Sequence, residues 1–229
     1  METFPVLPCI IAAQFTPKGA KDRNFKHQLC YVRVVRDADA WRFYGTDGFT
    51  FGRVQVPAEY TDDTFSINVP DTVFKSAKAG DTCTVVRVEE DHYTATIEGK
   101  GRKNEQSYSY PPAIGYSNYE KLIPETWESS TDEQVVFDPA LMVKICKPAA
   151  DYGDGKVWHT VKSHWAPNRF DCELESGGLL TMLLMPMTVR DRPEWLGPDP
   201  AVEARLRAEA KAKAKAKAEA EARWAGVAA

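Results

Sequence analysis

Residue types that do chemistry are thinly spread in this sequence. Of four histidines, His159 and His164 stand five apart on or near an expected strand, with Cys172 not far on. A zinc site needs more ligands at tighter, recognisable spacing, so no metal is expected there. The five cysteines, Cys9, Cys30, Cys83, Cys146 and Cys172, are odd in number, scattered and without CxxC spacing. They read as free thiols in a reducing cytoplasm. No phosphate loop, GxSxG or HExxH occurs. Asp62-Asp63 and Glu89-Glu90-Asp91 sit among turn-forming residues and read as solvated charge. No catalytic set emerges and no cofactor is implied; an enzyme with an unrecognised site is the minor reading.

The lysines are more informative. Lys75 and Lys78 fall i, i+3 on one expected short helix, and Lys144 and Lys147 do the same on another, so each pair shares a face. The loop after the first helix adds Lys18, Lys21 and Arg23. Helices side by side on a sheet would gather these cations into one basic surface. Such a surface contacts phosphates and reads no sequence. The alternative is that the lysines merely solvate helix faces, and spacing does not choose between the two. The net charge of −4 argues against a wholly basic nucleic-acid binder and leaves a local basic face open.

The elements that would position these groups repeat. A short helix is expected over about 8–15, then strands at 29–35, 41–46 and 49–56, the last two joined by an Asp47-Gly48 tight-hairpin signal. A second round has a strand at 64–69, a helix over 70–80, and strands at 82–89, 93–98 and 105–110. A third has a strand at 134–137, a helix over about 139–147 ending before Pro148, and strands at 156–163, 169–174 and 179–189. The pattern is strand–helix–three strands with a period of roughly 60 residues, too long for a short solenoid repeat. The first round lacks its leading strand. The run 179–189 is the longest apolar stretch and reads as a buried strand, with Pro186 forcing an edge or a break. It is too short to span a membrane, and the N-terminal residues carry no basic and apolar regions of a secretory signal. From Pro200 an Ala/Lys/Glu tail has charge all round any helix, so it has no stripe to dock it; it reads as solvated and partly helical, with a basic DNA-touching arm as the alternative.

Four stretches in order resemble the bacterial sliding clamp, the beta subunit of DNA polymerase III. They are the hairpin Phe43 to Phe51, the connector Tyr116-Ser117-Asn118-Tyr119-Glu120-Lys121-Leu122-Ile123-Pro124, the strand and helix entry Val136 to Leu141, and Leu184-Met185-Pro186-Met187-Thr188-Val189. The connector and the last motif are the more specific. The resemblance covers about residues 5–190 and implies an α+β clamp fold, with helices on one face of antiparallel sheets. It implies a full clamp domain over 1–124, a half domain over 125–192 and a tail over 193–229. It also implies a non-catalytic processivity factor whose partners are duplex DNA, polymerase and clamp-loader peptides, and other copies of itself, with no membrane. The peptide cleft it implies would be built by Thr46, Gly48, Phe49, Thr50 and Phe51, by Ser117, Lys121 and Leu122, and by Met185, Pro186, Met187, Thr188 and Val189. Met side chains suit a groove that re-packs around different peptides. Phe49, Thr50, Ser117 and Thr188 depart from the family, which has His, Arg, Pro and Arg there. The implied DNA-facing set is Lys18, Lys21, Arg23, Lys75, Lys78, Lys144 and Lys147. The runner-up is a clamp-like interaction module that binds clamp partners without encircling DNA. A half domain must be completed by something, and a neighbouring chain is the candidate.

Overall fold

A computed structural model describes residues 1–18, 23, 26, 29–109, 123, 137–161 and 166–186, all within one compact unit, Met1–Met187. Of the strand expected over 134–137, residues 134–136 lie outside the described residues and Phe137 is not in a strand; nearly all of the connector and the Ala/Lys/Glu tail also lie outside the described residues.

The first unit is β1 (Glu2–Pro5), α1 (Val6–Ala12) running into a 3-10 turn (Ala13–Phe15), then β2 (Tyr31–Arg36), β3 (Ala40–Thr46) and β4 (Thr50–Pro57). The second is β5 (Phe65–Pro70), a 3-10 turn (Asp71–Phe74), β6 (Thr82–Glu89), β7 (His92–Gly99) and β8 (Arg102–Ser109). In the third, α2 (Pro139–Tyr152) precedes β9 (Trp158–Thr160), β10 (Asn168–Glu173) and β11 (Leu179–Leu184).

The first unit therefore does have a leading strand, contrary to the sequence expectation. Only four residues long and closed by Pro5, β1 shows too little alternation to be read. It does not join its own unit's sheet. It pairs with β6 of the second unit, Pro5 opposite Thr82, while β5 pairs with β2 of the first, Pro70 opposite Tyr31. The helix entries repeat the exchange: Val6 N donates to Asp81 O at 3.1 Å, and Asp71 N donates to Cys30 O at 3.0 Å. Each unit thus completes the other's sheet about a local two-fold relation. The resulting sheets run β1-β6-β7-β8 and β5-β2-β3-β4-β11-β10-β9.

Two helix expectations need correction. The second-unit helix expected over 70–80 is a single 3-10 turn, Asp71–Phe74. β-Branched Thr72 and Val73 favour helix weakly, and local side-chain bonding competes with it, the Lys78 N–H being taken by the Asp81 carboxylate at 2.8 Å. In the third unit α2 does not stop before Pro148 but runs through it to Tyr152. An interior proline costs a helix about 3 kcal/mol. Burial of Ile145, Pro148 and Ala149 where α2 packs on β11 offsets this cost.

The main core lies on the helix-bearing faces of both sheets. Phe15, Val32, Val34, Phe43 and Val54 from the first unit meet Cys83, Val85, Ala95 and Ile97 from the second and Leu180, Met182 and Leu184 from the third. Close packing of α1 on its sheet depends on the cross-strand glycine pair Gly45–Gly52. A Cβ on Gly45 would fall 1.9 Å from Ala12 O, and one on Gly52 would fall 2.2 Å from the Phe15 ring.

Candidate functional site

The apolar run singled out in the sequence forms β11, inserted between β4 and β10 in the middle of the seven-stranded sheet. Pro186 coincides with a break and not an edge: the strand ends at Leu184, and Met185 N still donates to Phe49 O at 3.1 Å. Alternation splits β11 between the two faces. Leu180, Met182 and Leu184 enter the main core, while Leu183 joins Tyr44, Phe51 and Ile123 in a second, smaller cluster.

A pocket enclosing about 40 Å³ opens over that cluster, lined by Thr46, Gly48, Phe49, Thr50, Phe51, Pro167, Leu183 and Met185. Phe49 at 56% and Met185 at 38% exposure are large apolar side chains left in solvent at its rim. The enclosed volume is only a few water-sized spheres.

The rim is held by an unusually well-bonded turn. Thr46 pairs with Phe51 and Asp47 N donates to Thr50 O at 3.3 Å, so the two residues at the hairpin tip are Gly48 and Phe49 and not Asp47 and Gly48. Gly48 takes the left-handed conformation with φ of 89°. Thr46 Oγ1 donates to Thr50 O at 2.7 Å and accepts from Gly48 N at 3.0 Å. Asp47 Oδ1 accepts from Phe49 N at 2.9 Å, Thr50 N at 2.7 Å and Thr50 Oγ1 at 3.0 Å. Its other oxygen takes the Lys144 ammonium from α2. Burial pushes the Asp47 carboxyl up, but Lys144 and the two backbone N–H groups outweigh it and hold it below its ordinary value. Lys26 closes the turn from outside: its ammonium donates to Asp47 O at 2.6 Å and lies 4.3 Å from the Phe49 ring centroid.

Of the residues assigned to a peptide cleft, Thr46, Gly48, Phe49, Thr50, Phe51 and Met185 thus come together, and Pro186 follows directly. Ser117, Lys121, Leu122, Met187, Thr188 and Val189 lie outside the described residues. Pro167, Leu183, Ile123, Lys26 and Asp47 escaped sequence reasoning as cleft-forming residues. Asp47 was the legible one, because a carboxylate at a turn caps following N–H groups.

A second notch, of about 260 Å³, lies between α1 and the second unit's 3-10 turn, lined in part by Gln14, Lys18, Arg23, Phe74 and Lys75 around Asp71. The Lys18 ammonium donates to Ala13 O at 2.5 Å. Burial lowers its pKa, and the nearby charges of Lys144, Arg23 and Lys75 lower it further against the opposing pull of Asp71. Cations from distant parts of the chain therefore share one neighbourhood. Several are already paired: Arg23 makes a two-pronged contact with Asp71 at 2.7 and 2.8 Å, Lys144 holds Asp47, and Lys147 holds Asp151 at 2.7 Å. Lys75 and Lys78 are exposed but share no helical face, and Lys21 lies outside the described residues. His159 stacks on Phe170 at 4.3 Å and its Nε2 lies 3.1 Å from Asn168 Oδ1, whereas Cys172 is buried with its thiol pushed up to about 11. Among the described residues no group of three or more His, Cys, Asp or Glu could hold a metal, and no helix is long and apolar enough to cross a membrane.

Exchanged leading strands, helices on one side of antiparallel sheets and a sheet continuous between units define the sliding-clamp fold, of class α+β. The solved structures agree. The DNA polymerase III beta subunit of Thermotoga maritima superposes with a TM-score of 0.58 at 12% identity, over 82% of this chain and 65% of that one. A sliding clamp of Pseudomonas aeruginosa bound to griselimycin gives 0.59 at 10%, over 82% and 65%. The Helicobacter pylori beta clamp in complex with 5-chloroisatin gives 0.54 at 12%, over 82% and 66%. This chain therefore spans a little under two thirds of the length of those clamps. No protein-family model matches the chain. No curated protein matches it in sequence.

Proposed function

We propose that this chain is a shortened sliding clamp: a non-catalytic tether that holds a DNA polymerase on duplex DNA and engages polymerase and clamp-loader peptides through the pocket at the β4–β11 junction. In this reading residues 1–124 are a full clamp domain and 125–192 a half domain, and the protein works in the cytoplasm. The observation that carries it is the pocket itself. A rigid, hydrogen-bonded turn presents Phe49 beside a movable Met185 over an apolar floor. A fixed frame with one adaptable thioether suits short peptides bearing leucine or phenylalanine. The basic notch supports contact with phosphates, which carries affinity without sequence reading. Neither role requires a bond to be made or broken by the chain.

The test is fluorescence polarisation of a labelled peptide carrying leucine and phenylalanine. Micromolar binding corresponds to about 8 kcal/mol. Met185→Ala is expected to weaken it about tenfold, about 1.4 kcal/mol. Absence of binding by the wild type at high micromolar concentration overturns the peptide role and leaves a clamp fold without it.

A second reading, an interaction module that binds clamp partners without encircling DNA, is favoured by one observation: Arg23, Lys144 and Lys147 already hold carboxylates. Retention on circular DNA separates the two. A clamp is retained in a salt-sensitive way and loses retention in a Lys18→Glu, Lys75→Glu double variant; a module is never retained.

A further inference from the structure

The β4–β11 pocket is lined without a charged side chain. Of the ionised groups at its turn, two cancel: the Asp47 carboxylate takes the Lys144 ammonium. Opposite Leu183 in the sheet, Arg169 is likewise held, by Asp171 at 2.7 Å. Lys26 is different. Among the described residues its ammonium is tied to no carboxylate. It donates to a neutral acceptor, Asp47 O, at 2.6 Å and lies 4.3 Å from the Phe49 ring centroid.

Those two contacts fix the ammonium beside the pocket rim. Gly48 and Phe49 both line the pocket, and a Cβ on Gly48 would lie 3.9 Å from Lys26 Nζ. Holding a lysine side chain in one geometry costs up to about 2 kcal/mol of conformational entropy. Here the folded chain has already met that cost before a partner arrives. An ammonium has three N–H donors. One goes to Asp47 O, and the ring face engages the charge only weakly. Donor capacity for a strong acceptor is therefore left beside an apolar opening.

We infer that Lys26 selects the partner of this pocket: a peptide with a carboxylate within about two residues of its apolar anchor, roughly 7 Å of extended chain. This rests on the pocket being a peptide site. Phosphate groups on peptides are taken by clusters of arginine, and a single ammonium matches a carboxylate. The carboxylate comes from an aspartate or glutamate side chain or from the free C-terminus of the peptide, which present the same atoms. Lys26 stands over the turn and forms no part of the apolar floor, so it supplies discrimination more than bulk affinity.

Fluorescence polarisation with the full chain tests it. The labelled probes share one core bearing leucine and phenylalanine, with an amidated C-terminus. One keeps neutral flanks, and a set places a single aspartate at each flanking position within reach. Another has neutral flanks and a free C-terminal carboxylate, and a last one carries lysine at the best aspartate position. The best acidic probe is expected to bind about fivefold tighter than the neutral one, as a partly exposed ion pair does. Which acidic probe gains tells side chain from terminus. Lys26→Met is expected to bring the ratio to about one, and Lys26→Glu to pass the advantage to the lysine probe. Loosening of the turn by either variant weakens all probes alike and leaves the ratio unmoved. On the wild type the advantage is expected to shrink between about 50 and 500 mM salt. A neutral probe that binds as tightly as every acidic one overturns the inference and leaves the peptide site standing. An advantage that survives Lys26→Met or high salt does the same. Failure of every probe removes the peptide site and the inference together.

Discussion

The helices α1 and α2 occupy equivalent places in their units and meet opposite surroundings. Five of the seven residues of α1 are buried, against three of the fourteen in α2. The sequence Val-Leu-Pro-Cys-Ile-Ile-Ala is apolar all round, with valine and isoleucines that favour helix poorly, so α1 owes its form to the layers on both sides of it. α2 carries a buried stripe, a neutral exposed stripe and two ion-paired lysines. The difference teaches that in this fold a helix is as buried as the number of sheets around it, and that a unit is a half-finished layer until another unit closes it.

Substitutions on the two helices and at their junction break or sharpen this contrast. The largest effect is expected at the end of α1. Phe15 is fully buried against Gly52, and Phe15→Ala should cost about 3–5 kcal/mol in urea unfolding. A cost under about 1 kcal/mol would mean that the closed pair of units is not the core. Next is Asp47, which joins the pocket turn to α2. Asp47→Ala leaves the Phe49 and Thr50 N–H groups and Lys144 without their acceptor, at about 2–3 kcal/mol. Because the folded-state pKa of Asp47 lies below its ordinary 3.8, its contribution is complete above about pH 4 and disappears as pH falls through the lowered value. The gap between wild type and variant should therefore narrow in acid; a gap that widens would contradict the ion pair. The smallest effect is expected at Val143, where Val143→Ala should change monomer stability by no more than about 0.5 kcal/mol. A larger loss at concentrations where the chain is monomeric would show that α2 is covered from within its own chain.

Strands whose residues alternate were legible: β6 was placed end for end, and β3, β4 and β10 to within a residue or two. What escaped has physical reasons. β1 is four residues long and is stabilised by a strand of another unit, so nothing local marks it. In the second unit Pro70 and Gly80 punctuate a helix-length segment, but the β-branched residues between them limit it to one 3-10 turn. Pro148 is a stop by local chemistry, whereas packing on β11 outweighs the local penalty. At the pocket, the hairpin and Met185 could be named from motif likeness, but Leu183 and Pro167 arrive by sheet pairing across the chain. Lys144 shows the limit of spacing arguments: i, i+3 placement is silent about the carboxylate that already holds the ammonium.

The β4–β11 pairing also has a temporal consequence. Its cross-strand contact Arg53–Thr181 joins residues 128 positions apart. Contacts that distant close late, because a long loop must be ordered before they form. During synthesis the paired first and second units can fold while the last strand is still inside the ribosome. The pocket then exists only in a finished chain. A truncated or stalled product would keep most of the core and yet lack the pocket.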